Sequence, residues 1–296
     1  MFALAGLALI DGWALLAIGA KAAGYALTLL AAGGPLFLAV FARDVNERSA
    51  RFVRRTTALC AVALLAVLAL RFAIRAARIS GMGVEGMVDT TMLGFVWDSP
   101  LGSAAVWRLV GAALVLFVLL PKRLGLPAAV VGSTAIAASY AQVGHSLGEP
   151  RWVLACLLIA HLLAASFWVA ALAPLRRAAG SVGGPALLHR FGTIATGVVA
   201  LLFAAGIGFA WLVSGSLAAL FGTAYGWTLL LKVLFVSLLL GLAALNKLRL
   251  VPALASGDPD AAAALRSSIA WEGAAVVLVL LATATLTSVT TPPTNL

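Results

Sequence analysis

Apolar residues do not alternate with polar ones along this chain, nor recur as a single helical stripe. They run unbroken for about twenty residues at a time, and short polar stretches separate the runs. The expected spans are Ala14–Val40, Thr57–Ile79, Ser103–Leu120, Pro127–Val143, Trp152–Ala173, Phe191–Val213, Gly226–Leu245 and Ile269–Val289. A helix needs roughly 20 mostly apolar residues to cross a bilayer. Only helices and closed barrels satisfy every backbone polar group within one. Runs of this length and continuity predict helices. The expected fold is all-α, a polytopic membrane protein of about eight transmembrane helices forming one membrane-embedded domain over residues 1–296. Residues 2–10 are apolar but too few to cross. With Asp11 and Trp13 after them, they read as a segment lying at the interface. No basic region precedes a cleavage site, so no signal peptide is expected. No internal repeat stands out.

Composition agrees. Of 296 residues, 63% are hydrophobic and 10% are charged, against about 25% charged in soluble domains. The formal charge of +10 would suggest nucleic acid in a soluble protein. Here the basic residues sit in short loops, there is no nucleic-acid motif, and orientation is the better explanation. Loop 41–56 carries Arg43, Arg48, Arg51, Arg54 and Arg55. Loop 121–126 carries Lys122 and Arg123, loop 174–190 carries Arg176, Arg177 and Arg190, and loop 246–268 carries Lys247, Arg249 and Arg266. The alternate loops, 80–102, 144–151 and 214–225, hold Arg151 as their only Lys or Arg, beside Glu85, Asp89, Asp98 and Glu149. The first set is therefore expected in the cytoplasm and both termini outside, which an even number of spans requires.

Three methionines, Met82, Met87 and Met92, share one expected outer loop. Thioether sulfur is a soft donor that suits Cu(I). At a spacing of five they would stand ~140° apart on a helix, so a flexible loop would have to gather them. Adaptable packing against the membrane is the competing reading. His161 falls roughly ten residues into the fifth span, ~15 Å deep. An ionisable residue there points to function, and imidazole is a common metal ligand; a helix–helix hydrogen bond is the alternative. His145, in Gly144-His145-Ser146, lies at the outer end of the fourth span. It is too far in depth from His161 to share an ion, but could precede it in sequence as an entry site. His189 stands beside Arg190 on the cytoplasmic side and reads as ordinary. Cys60 and Cys156 form no CxxC pair and read as small buried hydrophobes.

Lys21, Arg71, Arg108 and Lys232 all fall within the outer halves of spans, and Arg75 and Arg78 continue the Arg71 face. Such charges need partners, and Asp11, Glu85, Asp89, Asp98 and Glu149 are the candidates. The cluster is awkward for a cation path and suits an anionic group such as a lipid phosphate or haem propionates. Glu272, about one turn into the last span, is expected to pair with Arg266 or Lys247, or to carry an ion or proton. Gly33-Gly34-Pro35 reads as a kink in the first span. HExxH, GxSxG and phosphate-loop signatures are absent, and no enzyme is expected.

Several stretches resemble the copper resistance protein D family of bacterial inner-membrane proteins, implicated in copper uptake. They are GHSLG at Gly144–Gly148, HLLAASFWVAALAPL at His161–Leu175, RFGTIATG at Arg190–Gly197, the run Tyr225–Leu254 and the run Ser268–Pro293. The resemblance implies about eight spans and marks His145, His161, Lys232, Asn246 and Glu272 as family features. One departure is that Ala170 and Ala171 follow the Phe-Trp-Val pattern where glycine often stands, at a close helix contact. The first expectation is a copper transporter that imports Cu(I). Met82, Met87, Met92 and His145 would collect the ion, His161 would be its mid-membrane ligand, and Glu272 an exit group. An extracytoplasmic copper-binding protein would be the partner besides the lipid bilayer. The alternatives are a haem-binding membrane protein for electron transfer and a non-transporting scaffold.

Overall fold

The first long helix, α1 (Gly12–Phe41), starts where the Asp11 carboxylate accepts a hydrogen bond from the Ala14 N–H at 2.7 Å. That bond satisfies one of the free donors at a helix start. In the computed structural model, which describes residues 11–144, 148–214 and 221–288, α1 is the central helix. Five consecutive residues, Ala31, Ala32, Gly33, Gly34 and Pro35, are buried. A helix buried all round is packed on several sides, and α1 lies against α2 (Glu47–Ser80), α5 (Lys122–Ser139), α6 (Arg151–Ala178) and α10 (Ala261–Leu286). Gly33 faces the Ser166 carbonyl and the Ala170 methyl of α6, and Gly34 faces the Thr57 hydroxyl of α2. A Cβ at either position would collide with these atoms. The glycine pair thus serves close helix approach, as small residues do in membrane interfaces. The helix runs on without a break through Pro35. Ala170, in the departure from the family pattern, is the residue that meets Gly33.

The remaining elements are a short α3 (Thr90–Trp97), α4 (Pro100–Leu116), α7 (Gly184–Ser214), α8 (Ala224–Leu245) and α9 (Val251–Ala255). Among the described residues there is no strand. Eight helices of the described residues are long and apolar enough to cross a membrane: Gly12–Phe41, Glu47–Ser80, Pro100–Leu119, Lys122–Gln142, Arg151–Ala178, Gly184–Val213, Ala224–Ala255 and Ala261–Leu286. The protein is a multi-pass membrane protein.

Several helices outrun their apolar segments. Arg48, Arg51, Arg54 and Arg55 stand on the first turns of α2 rather than in a loop, because Asn46 caps that helix by accepting from the Ser49 N–H at 2.8 Å. The Tyr225–Leu254 stretch stays helical past Leu245 through a π-helical turn, Asn246–Leu250, into α9. The last helix begins at Ala261, eight residues before the expected Ile269. Hydropathy marks the part of a helix that meets hydrocarbon, and caps decide where the helix ends. The expected loop 80–102 holds a 3-10 turn (Glu85–Met87) and α3. The interfacial reading of residues 2–10 and the end of the eighth span at Val289 lie outside the described residues.

The C-terminal half is built around α6, which packs on α1, α7 and α10, while α8 packs on α10. Phe37 and Phe41 of α1, Phe167 of α6 and Phe191 of α7 form a ring cluster, with Phe41 and Phe191 each about 6 Å from Phe167 between centroids (6.1 and 5.9 Å). This cluster fixes α6 against its neighbours and so sets the height of the polar side chains on it.

Candidate functional site

Two polar side chains of α6 lie seven residues apart, His161 and Trp168. Seven residues return a helix to nearly the same face, roughly 10 Å further along the axis. Each meets groups from other helices, and together they mark two levels of one polar column.

At the first level, Nδ1 of His161 lies 3.1 Å from the backbone carbonyl oxygen of Leu202 on α7. One turn on, Gly206 leaves room for the ring, since a Cβ there would stand 3.0 Å from both Cε1 and Nδ1. A carbonyl only accepts, so Nδ1 carries the hydrogen and Nε2 keeps its lone pair. Metal-binding histidines are held in this way, by an outer hydrogen bond on the other ring nitrogen. The charge of Lys232, on α8, acts on the same ring.

At the second level, Glu272 of α10 is buried, with 4% of its surface exposed. Its Oε2 accepts from Trp168 Nε1–H at 3.4 Å, and its Oε1 accepts from the Asn246 amide Nδ2. Asn246 opens the π turn that follows α8; such turns are frequent at functional sites. The Asn246 Oδ1 is buried and finds no hydrogen-bond partner among the described residues, and neither does the hydroxyl of Ser268, one turn before Glu272.

The expected pairing of Glu272 with Arg266 or Lys247 is therefore corrected. Six residues separate Arg266 from Glu272, about 120° around the helix, and the Arg266 guanidinium lies against Gly180, its Nη1 2.7 Å from where a Cβ there would stand. Lys247 donates to the Thr196 hydroxyl of α7. Glu272 also stands near the middle of α10 rather than one turn from its start, because that helix begins early.

Three of the five acidic partners expected for the basic residues within spans have other roles. Asp11 caps α1, Asp89 accepts from the Met92 N–H at 2.8 Å to cap α3, and Glu149 accepts from the Arg151 N–H at 3.2 Å. These carboxylates serve helix starts, where free N–H groups gather.

The three methionines are spread over three elements. Met82 follows the left-handed Gly81 that ends α2 and is half exposed, Met87 lies in the 3-10 turn, and Met92 in α3. His145 lies outside the described residues. His189 is exposed at the start of α7, so the described residues give His161 no second imidazole. Cys60 is buried as expected, but Cys156 is exposed on α6. Among the described residues no group of three or more His, Cys, Asp or Glu side chains could hold a metal. The sequence reading missed Trp168 and Ser268 as members of the site, and Gly206 as the seat of the imidazole. The spacing of Trp168 from His161 was the available signal.

The model of the copper resistance protein D-like N-terminal domain matches residues 9–150, and that of copper resistance protein D matches residues 185–286. The chain belongs to the copper resistance protein D family. Lys232, Asn246 and Glu272 fall in the second matched range, and Met82, Met87, Met92 and His145 in the first. His161 and Trp168 fall between the two, on α6, which packs on helices of both ranges. No curated protein and no solved structure matches the chain. Membership makes this copper resistance protein D relative a copper-handling membrane protein, and its polar column lies among the helices of the second range and α6.

Proposed function

We propose that this protein imports copper, as Cu(I), across a bacterial plasma membrane, and that His161 is the ligand the ion meets within the bundle. The observation that carries this reading is the hydrogen bond from His161 Nδ1 to the Leu202 carbonyl, which leaves Nε2 free to bind a soft cation. Family membership supports copper as the cargo. The basic loops support an orientation with both termini outside, which puts the methionine loop on the extracytoplasmic face. Met82, Met87, Met92 and His145 then collect the ion, by delivery from an extracytoplasmic copper-binding protein. Glu272 and Asn246 offer hard oxygen donors, which hold Cu(I) weakly. Conduction needs sites weak enough to leave, so this level favours exit. The sparse donor set around His161 fits passage in the same way. The work is transport, with no bond of a substrate made or broken.

The test is copper content of purified protein after anaerobic loading with Cu(I), with an absorption spectrum alongside. Wild type is expected to retain copper that the His161→Ala variant loses. Equal retention in both would remove His161 from the path. A Soret band from stoichiometric haem would replace the copper reading with an electron-transfer one.

A further inference from the structure

At the end of the bundle that carries the methionine loop, four basic side chains from three helices converge. Arg108 of α4 is buried, 3% exposed, with its Nε donating to the Ser139 hydroxyl at 2.9 Å and its guanidinium 4.2 Å from the Tyr140 ring centroid. The Tyr140 hydroxyl meets the Thr28 hydroxyl of α1 at 2.8 Å, and its ring lies 5.7 Å from that of Tyr25. One turn before Tyr25 on α1, Lys21 donates to the Thr287 carbonyl, and the Tyr25 hydroxyl lies 3.0 Å from the Thr287 hydroxyl. Arg71 of α2 lies along Gly24, its Nη1 3.7 Å from where a Cβ would stand. Arg75 follows one turn later, and the charges of Arg71, Arg75 and Arg108 all act on Lys21.

Lys21 and Arg108 are held by neutral partners. Among the described residues no carboxylate pairs with any of the four. The two salt bridges among the described residues, Glu47–Arg54 and Asp44–Arg190, lie at the opposite end of the bundle. Like charges gathered inside a membrane domain repel each other and are costly without a counter-charge. They also oppose passage of a cation, so copper does not explain them. Guanidinium groups match phosphate oxygens with paired donors, and basic pockets between transmembrane helices bind acidic lipid headgroups.

We propose that Lys21, Arg71, Arg75 and Arg108 form a binding site for a phosphate group, supplied by an acidic phospholipid or by free phosphate. The site is separate from the His161 column and independent of the copper reading. Bound phosphate ties α1, α2 and α4 together at this end.

The experiment measures thermal unfolding of the full chain in delipidated detergent micelles, titrated with phosphatidylglycerol, phosphatidylcholine or inorganic phosphate. In wild type the midpoint is expected to rise several degrees more with phosphatidylglycerol than with phosphatidylcholine. A rise with inorganic phosphate alone would assign the site to free phosphate. The Arg71→Gln/Arg75→Gln double variant, which leaves the buried Arg108 in place, is expected to lose the response. An Arg48→Gln/Arg51→Gln variant at the opposite end is expected to keep it. The proposal is overturned if neither phosphate source moves the wild-type midpoint beyond phosphatidylcholine. It is overturned equally if the Arg71/Arg75 variant keeps the response, or if the Arg48/Arg51 variant loses it as fully.

Discussion

Replacing Glu272 separates what its carboxylate does for the fold from what it does for transport. In the Glu272→Gln variant both hydrogen bonds can survive. Trp168 donates to the new amide oxygen, and Asn246 turns its side chain over so that Oδ1, which has no partner among the described residues, accepts from the new NH2. In the Glu272→Leu variant two buried donors, Trp168 Nε1 and Asn246 Nδ2, lose their acceptor. Comparing the two neutral variants removes the cost of burying a charge and isolates the two bonds. Hydrogen bonds between membrane helices average about 0.6 kcal/mol and reach about 1.7, whereas an orphaned buried donor in a soluble core costs about 1–3 kcal/mol. Glu272→Leu is therefore expected to be about 1–3 kcal/mol less stable than Glu272→Gln. The assay is unfolding by SDS titration in mixed micelles, with copper uptake by proteoliposomes in parallel. Glu272→Gln is expected to fold as wild type does and to slow uptake about tenfold, ~1.4 kcal/mol of barrier. A Leu variant as stable as the Gln variant would refute the hydrogen-bonded cluster. A Gln variant that transports at the wild-type rate would remove the carboxylate from the exit step.

Gly206→Ala places a methyl 3.0 Å from the His161 ring and is expected to turn it off the Leu202 carbonyl, lowering Cu(I) retention while the thermal midpoint stays near wild type. Lys232→Met removes the charge acting on His161 and is expected to raise Cu(I) retention roughly 2–10-fold, an effect of about 0.4–1.4 kcal/mol, read by competition with a chromogenic chelator. Gly33→Ala drives a methyl into the Ser166 backbone, and such overpacking is expected to cost about 1–3 kcal/mol in SDS unfolding. Changing Met82, Met87 and Met92 together to Leu is expected to raise the copper concentration for half-maximal uptake without changing the maximal rate.

The helix count and class were legible because a bilayer demands long apolar runs, and nothing in a soluble core imitates them. Helix ends were not, since Asn46 and the π turn at Asn246 extend helices into charged sequence that hydropathy reads as loop. His161 was visible as a lone ionisable residue deep in a span. Its orientation by Leu202 and Gly206 was invisible, because the contact crosses 41 residues and rests on a backbone carbonyl and an absent side chain. Glu272 was visible, but its partners were read from charge alone, which favours Arg266 and Lys247. The fold chose a tryptophan and an asparagine, neutral donors whose role depends on which helix faces which. The close packing of the Ser166 carbonyl and Thr57 hydroxyl against Gly33 and Gly34 was invisible in sequence, because both contacts come from other helices.

The most direct measurement is the initial rate of Cu(I) entry into proteoliposomes containing wild type, the His161→Ala variant or no protein, with folded yield matched. Import through His161 requires wild-type vesicles to accumulate copper well above empty ones, and His161→Ala vesicles to fall close to the empty level. Equal entry for wild type and His161→Ala, or wild-type entry no faster than that of empty vesicles, would contradict it.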